Sequence, residues 1–82
     1  MTITMEHHRF NVYLEDDGTM DTVLSVSPVN HDLWARYGSS EIRFDCEYAS
    51  SFRKKNGDMT ISGFRILAEE AIEAYLEMHE ID

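Results

Sequence analysis

The chain is poor in several residue types that many functions need. It has one cysteine, one proline, four glycines and seven basic residues in 82 positions. Cys46 alone cannot close a disulfide within the chain, which suits a reducing compartment. Gly18, Gly38, Gly57 and Gly63 are scattered, so no glycine-rich loop is present to cradle a phosphate. No apolar run approaches the roughly 20 residues of a membrane span. The first eight residues lack the basic region and apolar stretch of a signal peptide. A cytoplasmic location is expected, the host cytoplasm if the chain is phage-encoded.

The shortage of bases matters most. Sixteen acids against seven bases give a formal charge of -9. Direct nucleic-acid binding requires Lys and Arg to neutralise phosphates, and anionic membranes attract the same residues. Both are therefore unexpected. A basic partner is favoured, because opposite charge steers the encounter.

What is present is enough to fold. A hydrophobic fraction of 43% supports one modest core, so residues 1–82 are expected to form a single domain. Its small size makes a homodimer or a partner-bound state plausible. Residues 8 to 14 alternate, with His8, Phe10, Val12 and Leu14 on one side, as in a strand. Glu15-Asp16-Asp17-Gly18-Thr19 signals a hairpin turn. A second strand is expected from Met20 to Ser27, ended by Pro28. Asn30 to Tyr37 fits one or two helical turns, with Asn30 as cap and Gly38 as stop. A loop anchoring Trp34 in the core is the alternative. Glu41 to Tyr48 alternates most cleanly, with Ile42, Phe44, Cys46 and Tyr48 inward. After the basic turn Arg53 to Asp58, Met59 to Ser62 suggests a short fourth strand, and Ser62 an N-cap.

Phe64, Leu67, Ala68, Ala71, Ile72, Tyr75 and Leu76 then recur with helical period, predicting an amphipathic helix of about five turns. The expected fold is α+β and two-layered, with an antiparallel sheet of three to four strands packed on one long C-terminal helix.

The outer face of that helix is entirely acidic. Glu69, Glu70, Glu73, Glu77, Glu80 and Asp82 occur between Leu67 and the end of the sequence, without a single Lys or Arg. Glu69, Glu73 and Glu77 repel one another at i, i+4, and negative charge opposes the dipole at a helix C-terminus. A solvated face on an acidic protein accounts for the carboxylates alone, but a helix arranged only for stability would interleave Lys.

Other chemistry is weakly signalled. Cys46 between Phe44 and Tyr48 reads as a small buried hydrophobe rather than a nucleophile assisted by His7, His8, His31 or His79. Adjacent His7 and His8 on a strand point apart, and no zinc-ligand spacing is present. The Glu15 to Gly18 segment lacks the ligand pattern of a calcium loop. No catalytic residue, metal or cofactor is expected, and no enzyme. Arg53-Lys54-Lys55, the one basic cluster, reads as a solvated loop. Trp34 and Tyr37 are expected in the core or as a lid, and become anchors for a partner if exposed.

Gly57-Asp58 followed by Ala68 to Glu77 resembles the HicB antitoxin family, in which strands and a Gly-Asp-Thr step precede a Glu-Ala-rich helix. The spacing from Gly57 differs by one residue. The family's Pro-Asp-Leu-Pro-Gly-Cys stretch and C-terminal DNA-binding element have no counterpart, so membership is not implied. The resemblance implies an antitoxin-like binding role, retained as the alternative: an accessory subunit acting as a homo-oligomer.

The main expectation is a non-enzymatic protein-binding module. Glu69, Glu73 and Glu77 are spaced by roughly 6 Å along the helix, near two phosphate steps of roughly 6.8 Å on one DNA strand. Its sharpest form is a nucleic-acid mimic that inhibits a basic host nucleic-acid-binding protein. Phage and mobile-element inhibitors, anti-CRISPR proteins among them, share this size and charge. The expected contact residues are Glu69, Glu70, Glu73, Glu77, Glu80, Trp34 and Tyr37.

Overall fold

Four strands, three α-helices and one 3-10 turn (Ser50–Phe52) are present in the computed structural model, which describes residues 1–15 and 21–81. The strands and α-helices are β1 (Thr2–Met5), β2 (His8–Glu15), β3 (Thr22–Pro28), α1 (His31–Tyr37), β4 (Ser40–Phe44), α2 (Cys46–Ala49) and α3 (Ile61–Met78). The strands form one antiparallel sheet in the order β1-β2-β3-β4. The expected α+β architecture is therefore present. Alternation sends Ile3, Phe10, Val12, Leu24 and Val26 into the core. There they meet Leu67, Ala68, Ala71, Ile72, Tyr75 and Leu76 of α3, in the helical period read from sequence.

The expected turn at Glu15 to Thr19 falls largely outside the described residues, although β2 and β3 pair antiparallel on either side of it. α1 forms as expected. The Asn30 side chain accepts a bond from the Leu33 N–H, and Gly38 ends the helix with φ of 67°. Only glycine adopts that backbone without strain.

The N-terminal strand was not anticipated. β1 pairs with β2 through a two-residue loop, Glu6-His7, both at positive φ (52° and 69°). Such a loop normally carries Asn-Gly or Asp-Gly, so the usual hairpin signal is missing. His7 thus lies in the turn, not on a strand beside His8.

The strand expected over Glu41 to Tyr48 stops at Phe44, and Cys46 begins α2. Its period-two pattern contains a second one: Phe44, Tyr48 and Phe52 recur every fourth residue, which is helical spacing. The Phe44 and Tyr48 ring centroids lie 6.4 Å apart, and those of Tyr48 and Phe52 5.4 Å apart. Asp21 secures the change of course by accepting the Cys46 N–H at 3.1 Å. Cys46 is consequently half-buried at a helix start rather than set in an apolar strand face.

The short fourth strand at Met59 to Ser62 reduces to one bridge, Arg53 to Met59. The cap of α3 is Thr60, not Ser62. The Thr60 hydroxyl accepts the Gly63 N–H at 2.9 Å and donates to the Phe52 carbonyl at 3.1 Å. Gly63 is needed there, because a Cβ would lie 2.7 Å from Phe52 Cβ and 2.9 Å from its carbonyl oxygen.

At the other end α3 stops at Met78, so Glu80 is not part of the helix. The Ile81 N–H donates to the Leu76 carbonyl and the Glu80 N–H to that of Glu77. These two bonds are a Schellman motif, in which the residue after the cap is left-handed and usually glycine. Glu80 occupies that position, with φ of 54°. Among the described residues, no helix is long and apolar enough to cross a membrane.

Candidate functional site

The acidic outer face of α3 divides into two halves with different surroundings. In the first half of this face, at the middle of the helix, the carboxylates have partners. Arg65 Nε lies 3.5 Å from Glu69 Oε1, one turn away. Arg65 precedes Leu67, so the absence of bases holds only from Leu67 onward. The Tyr48 hydroxyl lies 2.8 Å from both carboxylate oxygens of Glu70, and its single proton is shared between them. That bond raises the Tyr48 pKa above its ordinary value, assisted by burial and by repulsion from the Glu70 charge. Glu69 and Glu70 are thus accounted for by contacts within the fold.

Glu73, Glu77 and Glu80 face different company. Together with Glu6 they border an open groove of about 560 Å³, which Met5, Leu76 and Ile81 also line. Met5 and Glu6 come from the end of β1 and the following turn; the others come from the end of α3. No basic side chain is among these residues. The apolar members follow from local structure. Leu76 and Ile81 are joined by the Schellman bond, a motif commonly closed by an apolar contact between these two positions. Met5 reaches the same groove from β1, an edge strand, because β1 is packed against α3.

Every carboxylate on this groove sits where local rules favour another residue. Glu73 and Glu77 are four residues apart on a helix, where like charges cost a few tenths of a kcal/mol. Glu77 is also in the last turn, where the helix dipole favours cations. Glu6 and Glu80 are left-handed, which costs a non-glycine residue about 1–2 kcal/mol.

The aromatic candidates separate as well. Trp34 is 53% exposed on α1, so its expected place in the core is not observed and the anchor condition is met. Tyr37 is half-buried against the core, with its ring 4.9 Å from that of His79. His79 also contacts Tyr75 at 4.5 Å and lies 3.3 Å from Ser40 Oγ. The Tyr75 hydroxyl donates to the Gly38 carbonyl at 2.6 Å, and burial, with Tyr37 nearby, raises its pKa. Tyr37 therefore helps fasten α1 to the end of α3. Neither aromatic lines the groove.

Two further clusters have structural explanations. Asp21, Asp45 and Cys46 bring their ligand atoms within 4.8 Å of one another. Asp21 is already engaged, accepting the Cys46 N–H through one oxygen and lying 3.5 Å from Arg43 through the other. The cavity at Cys46, about 320 Å³, is lined by Thr22, Glu47, Ser50 and Arg53 and by no histidine. Arg53 leaves the basic cluster by turning inward, donating to Thr22 Oγ1 at 2.9 Å and to the Gly57 carbonyl at 2.7 Å.

Sequence reasoning missed Met5, Glu6, Leu76 and Ile81 as members of one surface. Alternation of Thr2, Ile3, Thr4 and Met5 was the available signal for β1, and β1 with the turn after it carries Met5 and Glu6 to α3. Comparison of the chain with protein-family models, curated proteins and solved structures gave no match.

Proposed function

We propose that the protein is a non-enzymatic binding module that presents the acidic groove at the end of α3 to a basic protein. Its sharpest form is a nucleic-acid-mimicking inhibitor, of the anti-CRISPR kind carried by phages, which occupies the basic channel of a host nucleic-acid-binding protein. One observation carries the proposal: Glu6, Glu73, Glu77 and Glu80 border one groove, each against local stability preference. Departures from local rules that collect at one place are the mark of a surface kept for binding. A solvated face needs no such concentration.

The groove also narrows the original expectation. Glu69 and Glu70 are engaged within the fold, so the contact set moves toward the helix end and gains Glu6. Its apolar members suit the aliphatic stems of Lys and Arg, which bury methylenes while their charged heads meet carboxylates.

Affinity capture from the native host, washed at rising salt and then challenged with duplex DNA or RNA, tests the proposal. Release of a basic protein by either salt or nucleic acid is expected. A partner that resists both contradicts a nucleic-acid-like acidic contact.

A further inference from the structure

We infer that a second copy of the chain docks along the free edge of β4, giving a two-fold dimer with one continuous sheet. β4 is the last strand in the order β1-β2-β3-β4 and, among the described residues, pairs only with β3. Its outward edge therefore offers backbone donors and acceptors to another strand. The segment Ser40-Glu41-Ile42-Arg43-Phe44 holds no proline, and its two charged side chains, which guard an edge against strands of like charge, are of opposite sign. Ile42 and Phe44 point toward the α3 layer and are only half-buried, so the core runs out to this edge unfinished.

The charges select the occupant and the register. Glu41 and Arg43 share the outward face, two residues apart and exposed. In antiparallel self-pairing centred on Ile42, that residue meets its own copy, Glu41 faces the partner's Arg43, and Arg43 faces the partner's Glu41. Centring on Glu41 sets two carboxylates opposite each other, and centring on Arg43 sets two guanidinium groups opposite. Registers centred between residues place inward side chains against outward ones and break the alternation of the sheet. One register alone sets opposite charges against each other at both positions. The other edge strand, β1 (Thr2-Ile3-Thr4-Met5), carries no charged side chain and has no such selection.

Arg43 keeps its existing contacts, that with Asp21 among them, in this arrangement, because a guanidinium has five donors and can serve several acceptors at once. The two α3 helices lie on the same side of the joined sheet. The dimer does not depend on the acidic groove being a binding surface.

Sedimentation equilibrium tests this with Glu41→Arg, Arg43→Glu and their mixture. The wild type is expected to dimerise at high micromolar concentration. Each single variant turns both cross-strand pairs repulsive, weakening self-association at least about tenfold. Mixed in equal amounts, the two variants regain both pairs and form a heterodimer. Circular dichroism of each variant establishes that it is folded, and a variant that is not is replaced by Glu41→Lys or Arg43→Asp. A monomeric wild type overturns the inference. So does a wild-type dimer indifferent to both substitutions, or a mixture that fails to associate.

Discussion

Along α3, Glu69 and Glu70 are held by Arg65 and Tyr48, whereas Glu73, Glu77 and, past the cap, Glu80 face a groove without a basic side chain. The difference extends to the helix ends. The first turn is finished by Thr60 and by a glycine packed tightly on Phe52. The last turn has the bonds of a Schellman motif, but a glutamate where glycine fits. One helix thus has an end arranged for stability and an end arranged against it. Identical side chains are structural in the first place and candidates for function in the second. Composition alone cannot separate them.

The comparison breaks most visibly at Gly63. Replacing glycine by alanine inside a helix normally gains about 1 kcal/mol. Here the new Cβ would meet Phe52 backbone and side chain at 2.9 Å and 2.7 Å, and overpacking costs about 1–3 kcal/mol. Gly63→Ala is expected to give a net loss in urea denaturation, because the Phe52 backbone cannot swing aside. At the other end, Glu80→Gly should raise stability by about 1 kcal/mol by relieving the left-handed backbone. A drop in the denaturation midpoint would show that Glu80 is stabilising where it stands.

A smaller effect is expected at Glu73. Glu73→Lys places opposite charges one turn from Glu69 and Glu77, for a gain of a few tenths of a kcal/mol. Glu69→Lys instead repels Arg65 and should give no gain. Equal responses to the two substitutions would erase the distinction between the halves.

Alkaline stability supplies the mildest test. The Tyr48 and Tyr75 pKa values are raised in the folded chain, so it retains protons that the unfolded chain releases. Their contribution is complete below the ordinary tyrosine value of 10.0 and is lost as pH rises through the folded values. Denaturation midpoints should therefore fall above about pH 10. Tyr48→Phe should flatten that fall, and an unchanged slope would mean that the contact with Glu70 is not maintained in solution.

Much of the fold was legible because periodicity reports burial directly. The inward stripe of α3 and the alternation in β2 and β3 are tertiary requirements written into spacing. β4 was overextended because every fourth residue of an alternating pattern is also a helical repeat, and Phe44, Tyr48 and Phe52 follow the second. β1 escaped notice because Glu6-His7 makes its turn without glycine or asparagine. The acids were visible in the sequence, but the division between them was not. It depends on Tyr48, Met5 and Glu6, which the fold brings to α3 from distant segments.

The most direct measurement is salt-titrated capture of the partner by three forms: the wild type, Glu69→Lys/Glu70→Lys and Glu73→Lys/Glu77→Lys. The account predicts that Glu73→Lys/Glu77→Lys loses the partner at salt concentrations the wild type withstands, while remaining at least as stable. Glu69→Lys/Glu70→Lys should retain the partner despite lower stability. Equal loss from both variants, or loss from Glu69→Lys/Glu70→Lys alone, would contradict placing the binding surface at the end of the helix.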